Sequence, residues 1–325
     1  MAQGNRTYGN VVALAGGVGG AKLADGLQAV LPASTLSVVV NTADDFQLWG
    51  LHISPDIDTV TYTLAGLANP ETGWGVHGDS WQGMQMLGRY GHDAWFRLGD
   101  MDIVTHVLRT QGLREGRTLS GVTAELAKSL GIEAKIMPMC DEPVMTIIET
   151  PDGPLEFQEY FVRHRHADVV NGVAFRGIEE ARLTSRVKEA LAHAEAIIFC
   201  PSNPTVSIGP ILAVPGMLDA LARSKGRRVA ISPIVGGVAL KGPAADMLKT
   251  LGYEVSPVGV AQVYKGIIDG MVIDKVDERS AAPIRAMGIA VEVADTIMTT
   301  QESRAELAHV ALRLCESLSD RTLQT

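Results

Sequence analysis

Four carboxylates fall within one short stretch, Asn41 to Tyr62, read NTADDFQLWGLHISPDIDTVTY: Asp44, Asp45, Asp56 and Asp58. A strand-like run, Leu36-Ser37-Val38-Val39-Val40, leads into it, and a helix-like run starting near Asp58 leads out. Loops at the carboxyl ends of strands are where open α/β sheets bind ligands. Four acids in one such loop repel each other unless a cation or a bound polar ligand compensates them. The plainer reading is a solvated acidic loop in which Asp58 caps a helix, since Asp is a favoured N-cap. The neighbours Phe46, Leu48, Trp49, Leu51 and Ile53 argue against an idle surface loop.

Further strand ends carry chemistry of their own. Asn10–Ala15 reads as a buried strand, followed by Gly16-Gly17-Val18-Gly19-Gly20 and a helix pattern in Leu23, Leu27, Val30 and Leu31. Strand, glycine loop and helix make a phosphate site at a helix N-terminus, where bare glycines let the backbone approach an anion. The loop is not a Walker loop, because Ala21 separates Gly20 from Lys22 and Leu23 stands where Ser or Thr belongs. Nor is it a full dinucleotide fingerprint, since Lys22 occupies the third glycine position. Lys22 is either a cation for a phosphate or a solvated helix lysine. Pro201-Ser202-Asn203-Pro204 ends another strand, Ala196–Cys200, and its prolines stiffen a loop that leaves Ser202 and Asn203 free to hydrogen-bond. The strand Arg228–Ser232 ends in Pro233-Ile234-Val235-Gly236-Gly237, with Lys241 nearby. Arg97 and Asp100 sit at a loop-to-helix junction. Arg97 suits an anionic or planar aromatic ligand, helped by Trp49, Trp74 or Trp81, or it is a surface arginine beside an ordinary helix-start acid. His106 reads as structural.

These loops need elements to hold them. Strand and helix patterns alternate through most of the chain, which predicts an α/β fold with a Rossmann-like, doubly wound, mostly parallel sheet. The alternation breaks between about Cys140 and Gly177. There, Val144–Thr150 and Leu155–Val162 flank the turn signal Asp152-Gly153. The expected organisation is a core of residues 1–139 and 178–325 with a small β-rich inserted lobe at 140–177. The lobe carries Arg163-His164-Arg165-His166, whose histidine spacing without a nearby Cys does not suit zinc but would suit a cationic edge.

Composition narrows the function. The 325 residues are 46% hydrophobic with a net charge of −9, which gives a buried core and disfavours nucleic acid as a partner. The three cysteines are far apart and form no disulfide framework, as expected of a cytoplasmic protein. The amino terminus lacks a signal-type apolar core, and no apolar run approaches the roughly 20 residues that span a bilayer, so no membrane role is expected.

Taken in order, GGVGGAK, NTADDF, HISPDIDTV, RLGDMD, PSNPTVSIGP, SPIVGG and ADTIMT (Ala294–Thr299) resemble the 2-phospho-L-lactate transferase (CofD-like) family, from about Val11 to Leu312. The resemblance implies a Rossmann-like Mg²⁺-dependent enzyme, a homodimer, acting in biosynthesis of the deazaflavin coenzyme F-420. It would move a phospho-three-carbon acid (2-phospholactate, phosphoenolpyruvate or phosphoglycerate type) from a guanosine diphosphate-linked donor to the terminal ribityl hydroxyl of Fo, releasing GMP. Carried onto this chain, Asp58 and Arg97 match the Fo-holding positions, with Trp49 beside the ring. Asp44 and Asp45 would lie at the metal, with Asp58 and Asp45 catalytic. Gly17, Gly19, Gly20, Lys22, Ser202, Asn203, Gly236 and Gly237 would hold the guanine nucleotide. The glycine loop departs from relatives that carry Thr and Pro there, which bears on a side-chain hydroxyl but not on the amides. Two rivals are a non-catalytic nucleotide-sugar-binding regulator of the same superfamily and an NAD-dependent oxidoreductase. Against the first, the acids continue as Phe46-Gln47-Leu48-Trp49 and then SPDID. Against the second, Asn41 stands where an acidic ribose ligand is expected.

Overall fold

The computed structural model describes residues 8–322. β1 (Val11–Ala15), α1 (Gly17–Val30) and β2 (Leu36–Val40) form a first βαβ unit. The chain then makes a hairpin of β3 (Phe46–Leu48) and β4 (Leu51–Ile53). It continues through α2 (Pro55–Leu64), α3 (Gln82–Arg89), α4 (Asp100–Arg114) and α5 (Leu119–Ser129), and re-enters the sheet as β5 (Lys135–Pro138). β6 (Met145–Thr150), β7 (Gly153–Glu156) and β8 (Gly172–Arg176) follow. Then come α6 (Ser185–Ala192), β9 (Ala196–Phe199), α7 (Ile208–Ala213), α8 (Met217–Arg223) and β10 (Arg227–Ile231). A small hairpin, β11 (Ile234–Val235) and β12 (Val238–Ala239), leads to α9 (Ala244–Thr250) and α10 (Pro257–Val263). β13 (Gly270–Asp274), α11 (Ala281–Ala286), β14 (Ala290–Ala294) and α12 (Gln301–Thr322) complete the fold.

Seven strands form one parallel sheet in the order β14-β13-β10-β9-β1-β2-β5. The expected doubly wound architecture is present. Succession runs outward in both directions from β1, so the topological switch point lies between β1 and β9. Alternate residues of each strand feed two cores, as the two-residue period of a strand requires. Val11, Ala13 and Ala15 join α1, α2 and α12, whereas Val12 and Leu14 join α6, α7, α8 and α10. With both faces covered, the strands read as continuous apolar runs.

β6, β7 and β8 form a separate antiparallel sheet in the order β7-β6-β8. The strand expected over Leu155–Val162 ends at Glu156. A π-helical turn, Glu159–Arg163, follows, because Phe157 and Tyr160 turn into a small core with Ile148, Val206 and Met247. The three cysteines are buried free thiols. No described helix is long and apolar enough to cross a membrane.

The glycines that open α1 are needed mainly for chain packing. A Cβ on Gly19 would collide with the backbone carbonyl oxygen of Pro201, and one on Gly20 would meet Ser202 Oγ and Ala15. Gly17 has φ +55°, which a side chain rarely adopts. Gly19→Ala is therefore expected to destabilise the fold by about 1–3 kcal/mol, read as a lowered urea midpoint. An unchanged midpoint would show that the loop after β9 yields freely.

Candidate active site

A cleft of about 740 Å³ opens at the carboxyl edge of the sheet, over the switch point. Its floor is built where the turns after β1 and β9 cross. The Gly16 N–H donates to Ser202 Oγ (3.0 Å), and the Ser202 hydroxyl donates to the Gly16 carbonyl (2.6 Å). Ser202 is thus a buried clasp as well as a lining residue. Asn203 Oδ1 accepts from the Thr205 and Val206 amides, while its Nδ2, buried and lining the cleft, has no partner. Lys22 also lines the cleft and donates to the Met298 carbonyl at 3.1 Å. Burial, with Arg304 and Lys241 nearby, holds its pKa below the ordinary lysine value.

The four acids have different surroundings. Asn41 ends the run of β2, and its Nδ2 reaches both Asp44 Oδ2 and Asp56 Oδ2, each at 3.0 Å. Both carboxylates are buried and line the cleft. Asp44 Oδ1 has no partner. Burial, then the charge of Asp56, pushes the Asp44 carboxyl well above the usual range. Burial raises Asp56 to about 7, against the pull of hydrogen bonds from Asn41 and the Gly17 amide. Asp45 turns away and does not line the cleft. Ser54 donates to its Oδ2 at 2.6 Å, and His52 Nε2 lies 3.0 Å from the same oxygen. A hard divalent cation requires oxygen ligands; Asp44 and Asp45 each keep one buried oxygen without a hydrogen bond, but it is Asp44 and Asp56 that share the Asn41 amide and both line the cleft. The expected pair, Asp44 and Asp45, is not brought together on the cleft.

Asp58 lies in α2 after Ser54 at the N-cap and Pro55 at the start of the helix, so it is not the helix cap. It lines the cleft, and its two oxygens take a fork from Arg109: Nη1 to Oδ2 at 3.0 Å, and Nη2 to Oδ1. Asp58, Asp102 and His106 lie close enough together to hold a metal. A cation there would face the Arg109 guanidinium, so the site fits one poorly. Sequence reasoning missed Arg109. The signal was available in α4, where Asp102, His106 and Arg109 recur at helical spacing on one buried face.

Of the expected tryptophans, Trp74 lines the cleft and Trp49 and Trp81 do not. Trp95, Phe96, Phe157, Phe161 and Trp74 line the cleft. Phe46 packs on Trp95 and Phe96 (ring centroids 6.0 and 4.9 Å), which accounts for the apolar residues among the acids. Trp49 instead forms the β3–β4 turn with Gly50, at φ +50°, and lies outside the lining. Gly236 and Gly237, at φ +59° and +77°, form the β11–β12 turn and are also outside it, whereas Ser232, Pro233 and Lys241 from the same region line the cleft. Gly20 packs beneath the floor. Arg97 lines the cleft with its guanidinium 4.4 Å from the centre of the Trp81 ring. Asp100 caps α3 by accepting from the Gln82 and Gly83 amides, each at 2.9 Å. Of the Arg163–His166 cluster, Arg163 pairs with Asp93 and Glu159, and His164 and His166 lie against Asp168 and Asp246.

A doubly wound sheet with a lined cleft at its switch point and buried, uncompensated carboxylates defines a Rossmann-like enzyme. The chain belongs to the 2-phospho-L-lactate transferase CofD family, whose model matches residues 11–310, and it is a transferase. It is 39% identical over 303 residues to the 2-phospho-L-lactate transferase of Methanosarcina mazei (93% of this chain, 99% of the relative). It is 40% identical over 315 residues to the phosphoenolpyruvate transferase of Kitasatospora aureofaciens (95% and 98%). A UPF0052-family protein from Bacillus halodurans shares the fold at TM-score 0.64 and 16% identity, covering 95% of this chain and all of that one.

The buried pair sets a pH dependence. Folding raises the Asp56 pKa, so the native state holds a proton that the unfolded chain releases. The stability this contributes is complete below the ordinary carboxylate value and is lost as pH rises through about 7. Without divalent cations the Tm should fall across that window, and Asp56→Asn should flatten the fall. A divalent cation held by this pair, tested with Mg²⁺, would raise Tm above the window but not below it. That gain should vanish in Asp44→Asn and Asp56→Asn and persist in Asp45→Asn; its persistence in the first two would place the cation elsewhere.

Proposed function

We propose that this enzyme transfers a phospho-three-carbon acid from a guanosine diphosphate-linked donor to the ribityl hydroxyl of Fo, with release of GMP, in coenzyme F-420 biosynthesis. The observation that carries this reading is the shared cleft. The uncompensated Asp44–Asp56 pair lies beside the α1 N-terminus, and the same space runs to Asp58, Arg97 and the aromatic wall. Phosphate favours helix N-termini and free amide donors, so the donor diphosphate belongs over Gly17–Gly19 and Asn203, with Lys22 and Lys241 as nearby cations. The planar deazaflavin belongs against Trp95, Phe96 and Phe161, with Arg97 at its edge.

Asp44 and Asp56 would hold Mg²⁺, which when bound neutralises charge on the diphosphate. Asp58, fixed by Arg109, accepts the hydrogen bond of the Fo hydroxyl and orients its oxygen. That oxygen bonds to the phosphorus carrying the three-carbon acid. The bond from this phosphorus to the bridging oxygen breaks, and GMP leaves with that oxygen. The hydroxyl proton passes to water. Asp45, expected to act directly, instead supports the loop through Ser54 and His52.

Purified enzyme, Fo and the guanylylated forms of phospholactate, phosphoenolpyruvate and phosphoglycerate, followed by mass spectrometry, test this directly. One donor should yield GMP and a product heavier than Fo by its phospho-acid group. No product from any donor would defeat the reading.

Assembly as a homodimer is part of the same proposal. Met101, Val104, Val107 and Leu108 form an uncharged, half-exposed stripe along α4. α4 has acidic residues in its first turn and Arg114 in its last. An antiparallel second copy therefore brings opposite charges and opposed helix dipoles together. Val104→Glu/Leu108→Glu should convert a dimer to a monomer in light scattering. A wild-type monomer at all concentrations would remove the second copy from this face.

A further inference from the structure

Arg109 is the largest side chain buried almost completely, at 1% exposure. It does not line the cleft but stands behind Asp58, which does. Besides its fork to Asp58, its Nη1 donates to His106 Nδ1 at 3.2 Å and lies 3.4 Å from the His52 carbonyl. With His106 Nδ1 accepting, Nε2 carries the proton, and it faces Asp102 Oδ1 at 3.3 Å. Asp102 accepts from the Tyr62 hydroxyl at 2.7 Å. Tyr62 lies one helical turn after Asp58, so the chain of contacts returns to α2. Two helices are thus joined by a ring of polar contacts through Asp58, Arg109, His106, Asp102 and Tyr62, in which His106 Nε2 is close to Asp102 without a hydrogen bond to it. All but Arg109 face the cleft.

Such a ring is a costly way merely to join helices. Taking a guanidinium out of water costs several kcal/mol, and well-packed apolar residues of similar volume often do as well or better. An apolar pair cannot hold a carboxylate rigidly at a cleft wall. A guanidinium fork does this, because it fixes the plane of the carboxylate as well as its position. Held by the fork, Asp58 still lines the cleft.

We propose that Arg109 is a positioning residue for the acceptor, acting only through Asp58: it locks the Asp58 carboxylate in the orientation that receives the attacking hydroxyl. This rests on the acceptor assignment above. It separates the roles of the acids, since the fork has no contact with the Asp44–Asp56 pair that serves the donor.

The test is a double-mutant cycle on the full chain: wild type, Asp58→Asn, Arg109→Met and Asp58→Asn/Arg109→Met. Fo affinity is read by Fo fluorescence and guanine-nucleotide affinity by titration with GMP. The double variant leaves no unpaired buried charge, so it keeps the cycle readable where Arg109→Met alone folds poorly. Arg109→Met should weaken Fo binding about tenfold or more and leave GMP binding unchanged. In the Asp58→Asn background the same change should have no further effect on Fo. Arg109→Lys should recover only part of the loss, because an ammonium restores the charge without the fork. Independent losses from the two substitutions, or a parallel fall in GMP affinity, would overturn the proposal and leave the acceptor assignment standing. A wild-type chain that binds GMP but not Fo would overturn both.

Discussion

Everything at the carboxyl edge of the sheet answers to one constraint: carboxylates buried side by side need separate forms of compensation. Two unit charges about 4 Å apart interact by about 1 kcal/mol in water and about 4 kcal/mol at an effective dielectric of 20. The chain meets this in three ways. Asp58 receives a guanidinium. Asp45 receives a serine hydroxyl and an imidazole. Asp44 and Asp56 receive the shared Asn41 amide, with the Thr146 hydroxyl at Asp44 and the Gly17 amide at Asp56, all neutral donors that supply no charge. Compensation by a cationic side chain thus goes to Asp58, while the Asp44–Asp56 pair beside the N-terminus of α1 relies on neutral donors.

The surrounding architecture serves that partition. The β3–β4 hairpin separates the two halves of the acidic stretch and carries His52 back towards Asp45. Its apolar side, Phe46 and Ile53, packs with Leu98 under Trp95 and Phe96, so the segment that compensates one acid also props the aromatic wall. On the other side, bare glycines allow the turns after β1 and β9 to cross in contact. An ordinary Cβ at Gly16 would press on the Asp56 carboxylate and on Ser207. The glycine loop thus brings the acidic pair, the Ser202 clasp and the helix N-terminus into one small volume.

Much of this was legible in the sequence. Parallel strands buried on both faces leave continuous apolar runs, and runs such as Leu36–Val40 and Ala196–Phe199 were readable with the loops that end them. Short helices such as Met217–Arg223 were not, because two turns carry too little periodicity. The partition among the acids was hidden as well. Asp45 and Asp56 are equivalent as residue types, and only the path of the hairpin decides which of them faces the cleft. Trp49 and the Gly236-Gly237 pair had the right chemistry for ligands but are turn residues with positive φ, where local backbone geometry claimed them. Arg109 is 51 positions from Asp58, and no local pattern links the two. A polar face recurring within a helix that must pack was the only trace.

The relatives sharpen what the geometry implies about donor choice. Chains named for phospholactate and for phosphoenolpyruvate transfer stand at 39% and 40% identity to this one, each over more than nine-tenths of its length. Donors that differ only in a small acid share their phosphates and nucleotide, so most of a donor site can be common to both. Floor, acidic pair and aromatic wall are each tied to a structural duty: chain crossing, charge compensation or core packing. Residues bound in that way have little freedom to change with the acid. The discriminating contacts must then be few, and must lie where the cleft is lined by side chains that no packing duty holds. On the proposed reading they belong in the space between Asn203 and the fixed carboxylate of Asp58, where donor and acceptor would meet.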